Sequence, residues 1–220
     1  ALSPTSKPLT ANEDASDEEK REIGRAIGDE GDRLSGNDTP VFYQGAVEAY
    51  REAQRHDPLN PKWPGKLALA LAHVHHPIKN NKSDEITEWI RKGRALEPEL
   101  SLFYQAEARL ALAEAKFEAV KNALASAQQT DPTAMENLLI GAELSLAMND
   151  PIAAKLALDE AVSRDVTNLR AAYLTSLVDL QNRAGARSRT KAMEIIRQNP
   201  LHASSYFVIA ENLRSDGDLG

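Results

Sequence analysis

Apolar positions along most of the chain recur at three- and four-residue intervals, the spacing that places them on one side of an α-helix, and the strict alternation of a half-buried strand is almost absent. Ala and Leu supply most of these positions, as in Leu110, Leu112 and Leu124 and in Leu138, Leu139, Leu146, Leu156 and Leu158. The pattern starts at Ser16, which Glu19 follows three residues later, the signature of a capping box at a helix start. Turn chemistry interrupts it at His56-Asp57-Pro58-Leu59-Asn60-Pro61, Leu96-Glu97-Pro98, Thr130-Asp131-Pro132, Met148-Asn149-Asp150-Pro151 and Gln198-Asn199-Pro200. Proline lacks an amide donor and biases the residue before it away from helical geometry, so each stretch predicts a helix boundary. Residues 1–16, with Pro4, Pro8 and no apolar periodicity, read as a disordered linker.

The interruptions are periodic. Pro98 and Pro132 lie 34 residues apart, Pro132 and Pro200 lie 68 apart, and Val166 takes the place between them. Other positions share the phase. Five residues before each closing position stand Ala53, Gly93, Ala127 and Ala161, with Ile195 as the exception; eight before stand Tyr50, Ile90, Leu124, Leu158 and Ala192; twelve before stand Ala46, Ile86, Val120, Ala154 and Ser188. In the preceding helix the matching place holds Val74, Ala108, Ala142 and Ser176. Small residues let two backbones approach, larger ones fill the gap opposite, and the proline ends the second helix so that the next can stack.

With Ala46-x3-Tyr50-x2-Ala53-x4-Pro58 as its best match, the chain resembles the tetratricopeptide repeat (TPR) family, most strongly over 99–200. The resemblance implies an all-α fold, a right-handed TPR-like superhelical solenoid of antiparallel helix pairs. The expected repeats are 17–58, 59–98, 99–132, 133–166 and 167–200, with a partial one at 201–220. Two departures stand out. The interval from Pro58 to Pro98 is 40, and the six extra residues fit an extended loop at 75–82. The first helix carries Gly24, Gly28 and Gly31. Either these weaken it and leave it mobile, or they let another backbone lie against it. In the last segment Ala203, Tyr206, Phe207, Val208, Ile209, Ala210 and Leu213 spread round most of a helix ahead of Gly217-Asp218, so further chain, or a weak homodimer through Tyr206, Phe207 and Ile209, is expected to cover them.

TPR solenoids bind along the concave face lined by the first helix of each repeat. The resemblance therefore implies a partner site at Leu71, His75, Gln105, Arg109, Leu112, Glu136, Leu139, Glu143, Leu146, Arg170, Tyr173 and Leu177, taking a peptide or helix with a few apolar anchors framed by charge. Arg170 and Tyr173 are the expected hot spots, because Arg and aromatic side chains dominate such interfaces. The carboxylate clamp that some family members use for chaperone tails is not matched: Leu71, His75, Ala106, Glu136 and Ile140 stand in its places, and the Glu repels a carboxylate.

Composition narrows the function classes. Basic residues number 26 and acidic 33, the net charge is -7 and the pI about 5.3, a balance that argues against a nucleic-acid partner. There are no cysteines, hence no disulfide, thiolate metal site or cysteine nucleophile. No phosphate-binding, serine-hydrolase or zinc-protease motif is present, so no enzyme activity and no cofactor is expected. His73 and His76 sit three apart, too few groups for a metal site, and read as structural. Arg183, Arg187, Arg189 and Lys191 surround Gly185 as a solvated basic turn, with an acidic partner or lipid headgroup the functional alternative. Asn37-Asp38-Thr39 and Asn81-Lys82-Ser83 fit the glycosylation pattern by chance frequency. No run of about 18 apolar residues predicts a membrane span. Ala1 in place of Met and the lack of a leader are those of a processed product, cytoplasmic and periplasmic placement both fit, and the composition leans bacterial. The reading is a protein-interaction scaffold, with a non-catalytic regulatory or assembly module of a larger enzyme or export and envelope complex as the alternative.

Overall fold

The computed structural model describes residues 15–215. The expected linker at 1–16 thus falls almost wholly outside the described residues, as does Gly217-Asp218. Among the described residues eleven helices follow one another: α1 (Asp17–Ser35), α2 (Pro40–His56), α3 (Lys62–Val74), α4 (Ser83–Arg94), α5 (Ser101–Ala113), α6 (Phe117–Thr130), α7 (Met135–Ala147), α8 (Pro151–Arg164), α9 (Leu169–Gln181), α10 (Gly185–Gln198) and α11 (Ala203–Ser215). They divide into two compact units, α1 to α6 in one and α7 to α11 together with residues 36–39 in the other.

The capping box forms as the sequence predicts. Ser16 Oγ accepts from the Glu19 amide at 3.3 Å, and Glu19 Oε2 accepts from the Ser16 amide at 2.7 Å. The Ser16 amide, together with the Ser16 hydroxyl that also donates to Oε2 at 2.8 Å, holds the Glu19 carboxyl below its usual range. Further along, Asp150 and Asn168 cap α8 and α9 through the amides of Ala153 and Ala171.

The hairpins α5–α6, α7–α8 and α9–α10 turn through three residues each, too few for anything but an antiparallel return. The middle residue of each turn is left-handed: Ala115 (φ 56°), Asn149 (φ 59°) and Arg183 (φ 57°). They stand 34 apart, and the next amide in each turn bonds back to Ala111, Ser145 or Asp179 at 2.8–2.9 Å. Glycine is absent from all three places, although a Cβ there costs about 1–2 kcal/mol.

The first unit packs around Ile27, Phe42, Ala46, Tyr50, Trp63, Leu67, Leu71, Ile86 and Phe103. Its glycines serve close approach. An added Cβ at Gly28 would fall on the Trp63 ring, one at Gly31 on the Tyr50 ring, and one at Gly24 would lie 3.1 Å from the Ala53 carbonyl oxygen. Side chains of α2 and α3, more than a backbone, fill the space that the glycines leave, which corrects the expectation of a merely weakened helix. Tyr50 donates to Asp32 at 2.7 Å, and burial together with that carboxylate pushes its phenol above the ordinary range. The second unit packs around Leu139, Ala142, Ala154, Leu158, Ala161, Leu174 and Val178.

Ion pairs also carry the period. Lys66 with Asp32 at 2.5 Å, Arg51 with Glu85, and Arg170 with Glu136 at 2.7 Å each join residues 34 apart, linking equivalent helices of successive pairs. Arg170 is 5% exposed and its Nε also donates to Glu143 at 2.7 Å.

Three outcomes follow for urea denaturation of the whole chain. Gly28→Ala destabilises by about 1–3 kcal/mol through overpacking, opposite in sign to the roughly 1 kcal/mol gain at an exposed helical glycine. Arg183→Gly and Ala115→Gly each stabilise by about 1 kcal/mol, and Asn149→Gly changes little, because Asn tolerates the left-handed region. Arg170→Met costs about 3 kcal/mol by stranding two carboxylates, and adding Glu136→Gln and Glu143→Gln recovers most of it.

Candidate protein-interaction face

In the first unit the expected partner residues come from α3 and α5. Leu71 and Gln105 are buried, and His75, at the end of α3, is 7% exposed. Gln105 donates through Nε2 to Ser101 Oγ at 3.1 Å, and Ser101 reaches the Ala127 carbonyl at 3.2 Å, so this amide belongs to the packing of α5 on α6. Arg109 and Leu112 are half-buried and complete the outward side of α5.

In the second unit the face is built by α7 and α9. Leu139 and Leu146 are buried in its core, whereas Glu136, Glu143, Tyr173 and Leu177 are half-buried. Arg170 ties Glu136 to Glu143 from below, which holds both carboxylates still and withdraws the guanidinium from the surface. The arginine expected to be a hot spot is therefore a structural clamp. Tyr173 packs its ring at 5.2 Å and 58° to that of His202, and burial pushes its phenol up.

His202 is itself buried, with Nδ1 2.9 Å from Ser205 Oγ and Nε2 3.5 Å from an Asp38 carboxylate oxygen, while Asn199 donates to the Asn37 carbonyl at 2.8 Å. Ser, His and Asp in a row resemble a hydrolase triad in composition only. Ser205 has no exposed surface, so its hydroxyl meets no substrate, and the group serves to seat residues 36–39.

The three histidines of the 73–76 cluster go separate ways. His73 stacks on Tyr43 with centroids 4.0 Å apart and planes 3° from parallel; the rings of His75 and His76 accept backbone hydrogen bonds. Among the described residues no group of three or more His, Asp or Glu is placed to share a metal ion. In the basic cluster, Lys191 and Arg187 converge on Asp179, which is 8% exposed, at 2.5 and 3.6 Å. Tyr206 and Phe207 of the expected homodimer contact are exposed, and Ile209 is half-buried. No described helix is long and apolar enough to cross a membrane.

Sequence reasoning missed Glu114, which receives Lys116 Nζ at 2.6 Å and Ser83 Oγ at 3.1 Å, contacts that hold its carboxyl below the usual range. It also missed an apolar pair on the outer side of α8, Ile152 and Leu156, one turn apart and both largely exposed. Their i, i+4 spacing was visible, but nothing in it distinguishes an outward face from an inward one.

No family model and no curated protein sequence matches the chain. Solved structures do. A thermophilic TPR protein of Thermus thermophilus superposes with a TM-score of 0.61 at 12% identity, covering 90% of this chain and 99% of that one. A TPR protein of Parabacteroides merdae superposes with a TM-score of 0.53 at 17% identity, covering 91% and 73%. Identities this low speak to architecture alone, and the architecture they share with the helix pairs described above is that of an all-α repeat protein with the TPR fold.

Proposed function

We propose that this chain is a non-catalytic interaction scaffold that takes a peptide or helix of a protein partner on the outward side of its first-of-pair helices. The observation that carries the reading is the construction of α7 and α9. They present Glu136, Glu143, Tyr173 and Leu177, all partly exposed, from helices whose spacing is held by the buried Arg170 clamp. A rigid, mixed apolar and acidic surface loses little entropy on binding and suits a partner segment with apolar anchors and basic flanks. In the first unit, considered by itself, Arg109 and Leu112 of α5 hold the corresponding register and are half-buried.

The partner recovered by cross-linking to the immobilised chain, once purified, is titrated against four proteins: wild type, Leu177→Glu, Leu112→Glu, and Leu156→Glu on the outer side of α8. Circular dichroism melts confirm that each variant is folded. Leu177→Glu should weaken binding at least tenfold, about 1.4 kcal/mol, with Leu156→Glu unchanged. Loss with Leu156→Glu alone would move the site to the other face and sink the proposal.

A further inference from the structure

The surplus residues of the second repeat form a built turn. His76 and Asn80 exchange both backbone hydrogen bonds at 3.0 Å, and Asn80 Nδ2 donates to the Val74 carbonyl at 2.9 Å. His76 Nδ1 accepts from the amides of Ile78 and Lys79, each at 3.2 Å, and His75 Nδ1 accepts from the amide of Lys82 at 3.0 Å. A backbone amide only donates, so both Nδ1 atoms are unprotonated. In this geometry each ring accepts through Nδ1, which leaves Nε2 as the nitrogen that carries a proton. Three amides of one turn thus converge on two imidazole lone pairs, and the turn they shape carries Ile78, 90% exposed, at its tip.

We propose that residues 75–82 are a pH-gated loop: protonation of the buried His75 ring turns the acceptor of the Lys82 amide into a donor facing it, and the turn that presents Ile78 opens. The charged surroundings are few. Glu114 Oε1, at the end of α5, lies 3.8 Å from His75 Nε2, but Lys116 and Ser83 already occupy its oxygens. Lys82 Nζ points to Glu85 at 3.4 Å, which Arg51 of α2 also binds, and Lys79 lies within the turn. Burial pushes His75 below its ordinary value; Glu114 acts in the opposite direction and His76 in the same one. The sign follows. A folded-state value below the unfolded one, near 6.5, means that the closed turn is fully stabilised above about pH 6.5 and loses that stabilisation as the pH falls through the folded value. Acid thus withdraws an apolar tip from anything seated on it.

The test is NMR on the whole chain. At pH 7.5 the ring nitrogens of His75 and His76 should report the Nε2–H form, and the amides of Ile78, Lys79 and Lys82 should be protected. At pH 5, after correction for intrinsic exchange, their protection should fall at least tenfold while amides in α6 hold theirs. His75→Asn and His76→Asn, whose Oδ1 accepts but does not titrate there, should together keep the protection and abolish its pH dependence; His76→Ala should lose it at both values. An Nδ1–H ring at pH 7.5, unchanged protection in the wild type at pH 5, an equal loss across α6, or pH dependence surviving in the double Asn variant each overturns the proposal.

Discussion

Both units depend on how closely two helices approach where the residues are small. Ala46, Ala53, Ala108, Ala127, Ala142, Ala154, Ala161, Ser176 and Ser188 have no exposed surface, and they lie in the paired helices α2 and α5 to α10. Taken singly they bury little apolar area. Their effect is to shorten the interhelix distance until Phe42, Leu67, Phe103 and Leu158 fill what remains, so that dispersion and exclusion of water act over the whole seam. The α1 glycines carry the same logic further. They admit the rings of Trp63 and Tyr50 into the helix surface itself, and the propensity lost along α1 is offset by two large aromatic groups leaving water.

Close approach also decides the fate of polar groups. Once two backbones meet, any donor between them needs a partner within the seam. Ser188 gives its hydroxyl to the Ser176 carbonyl at 2.9 Å and accepts from Asn212 Nδ2 at 3.0 Å, so that α9, α10 and α11 share one short chain of bonds. Arg170 is the charged version, a guanidinium between two carboxylates that orders the faces of α7 and α9 while giving up its own place on the surface. What is left outside is a residue of the packing, and the interaction face consists of side chains the seam did not consume. Where the repeat is longest, at 75–82, two imidazoles of the loop itself supply acceptors for its amides.

How much of this was legible varies by element. The period of 34 read from the prolines recurs in the left-handed turn residues 115, 149 and 183 and in the ion pairs of Asp32, Glu85 and Glu136, none of which is among the prolines and small residues that define it. Asn149 and Arg183 already stood in stretches read as turns, but the left-handed conformation was not legible at Ala115 or Arg183, because that conformation is expected at glycine or asparagine. Gly24, Gly28 and Gly31 were visible as an anomaly, but a helix with glycines on one side reads the same whether a partner fills the space or nothing does. Within the candidate face, register marked the right side of α7 and α9 without separating Leu139 and Arg170, which are buried, from Glu143 and Leu177, which are not.

The sequence by itself determined the helices, the places where they end, the repeat that pairs them and the all-α class, because these follow from local periodicity, capping and the positions of proline, all encoded within a few residues of where they act. Only the tertiary structure decided which polar side chains are locked inside the stack. The depth of Arg170 and Ser205, the route of His75 and His76 into their own turn, and the use made of the α1 glycines depend on groups from 2 to 164 residues away, and the distance between two helices is set by every side chain in the seam at once.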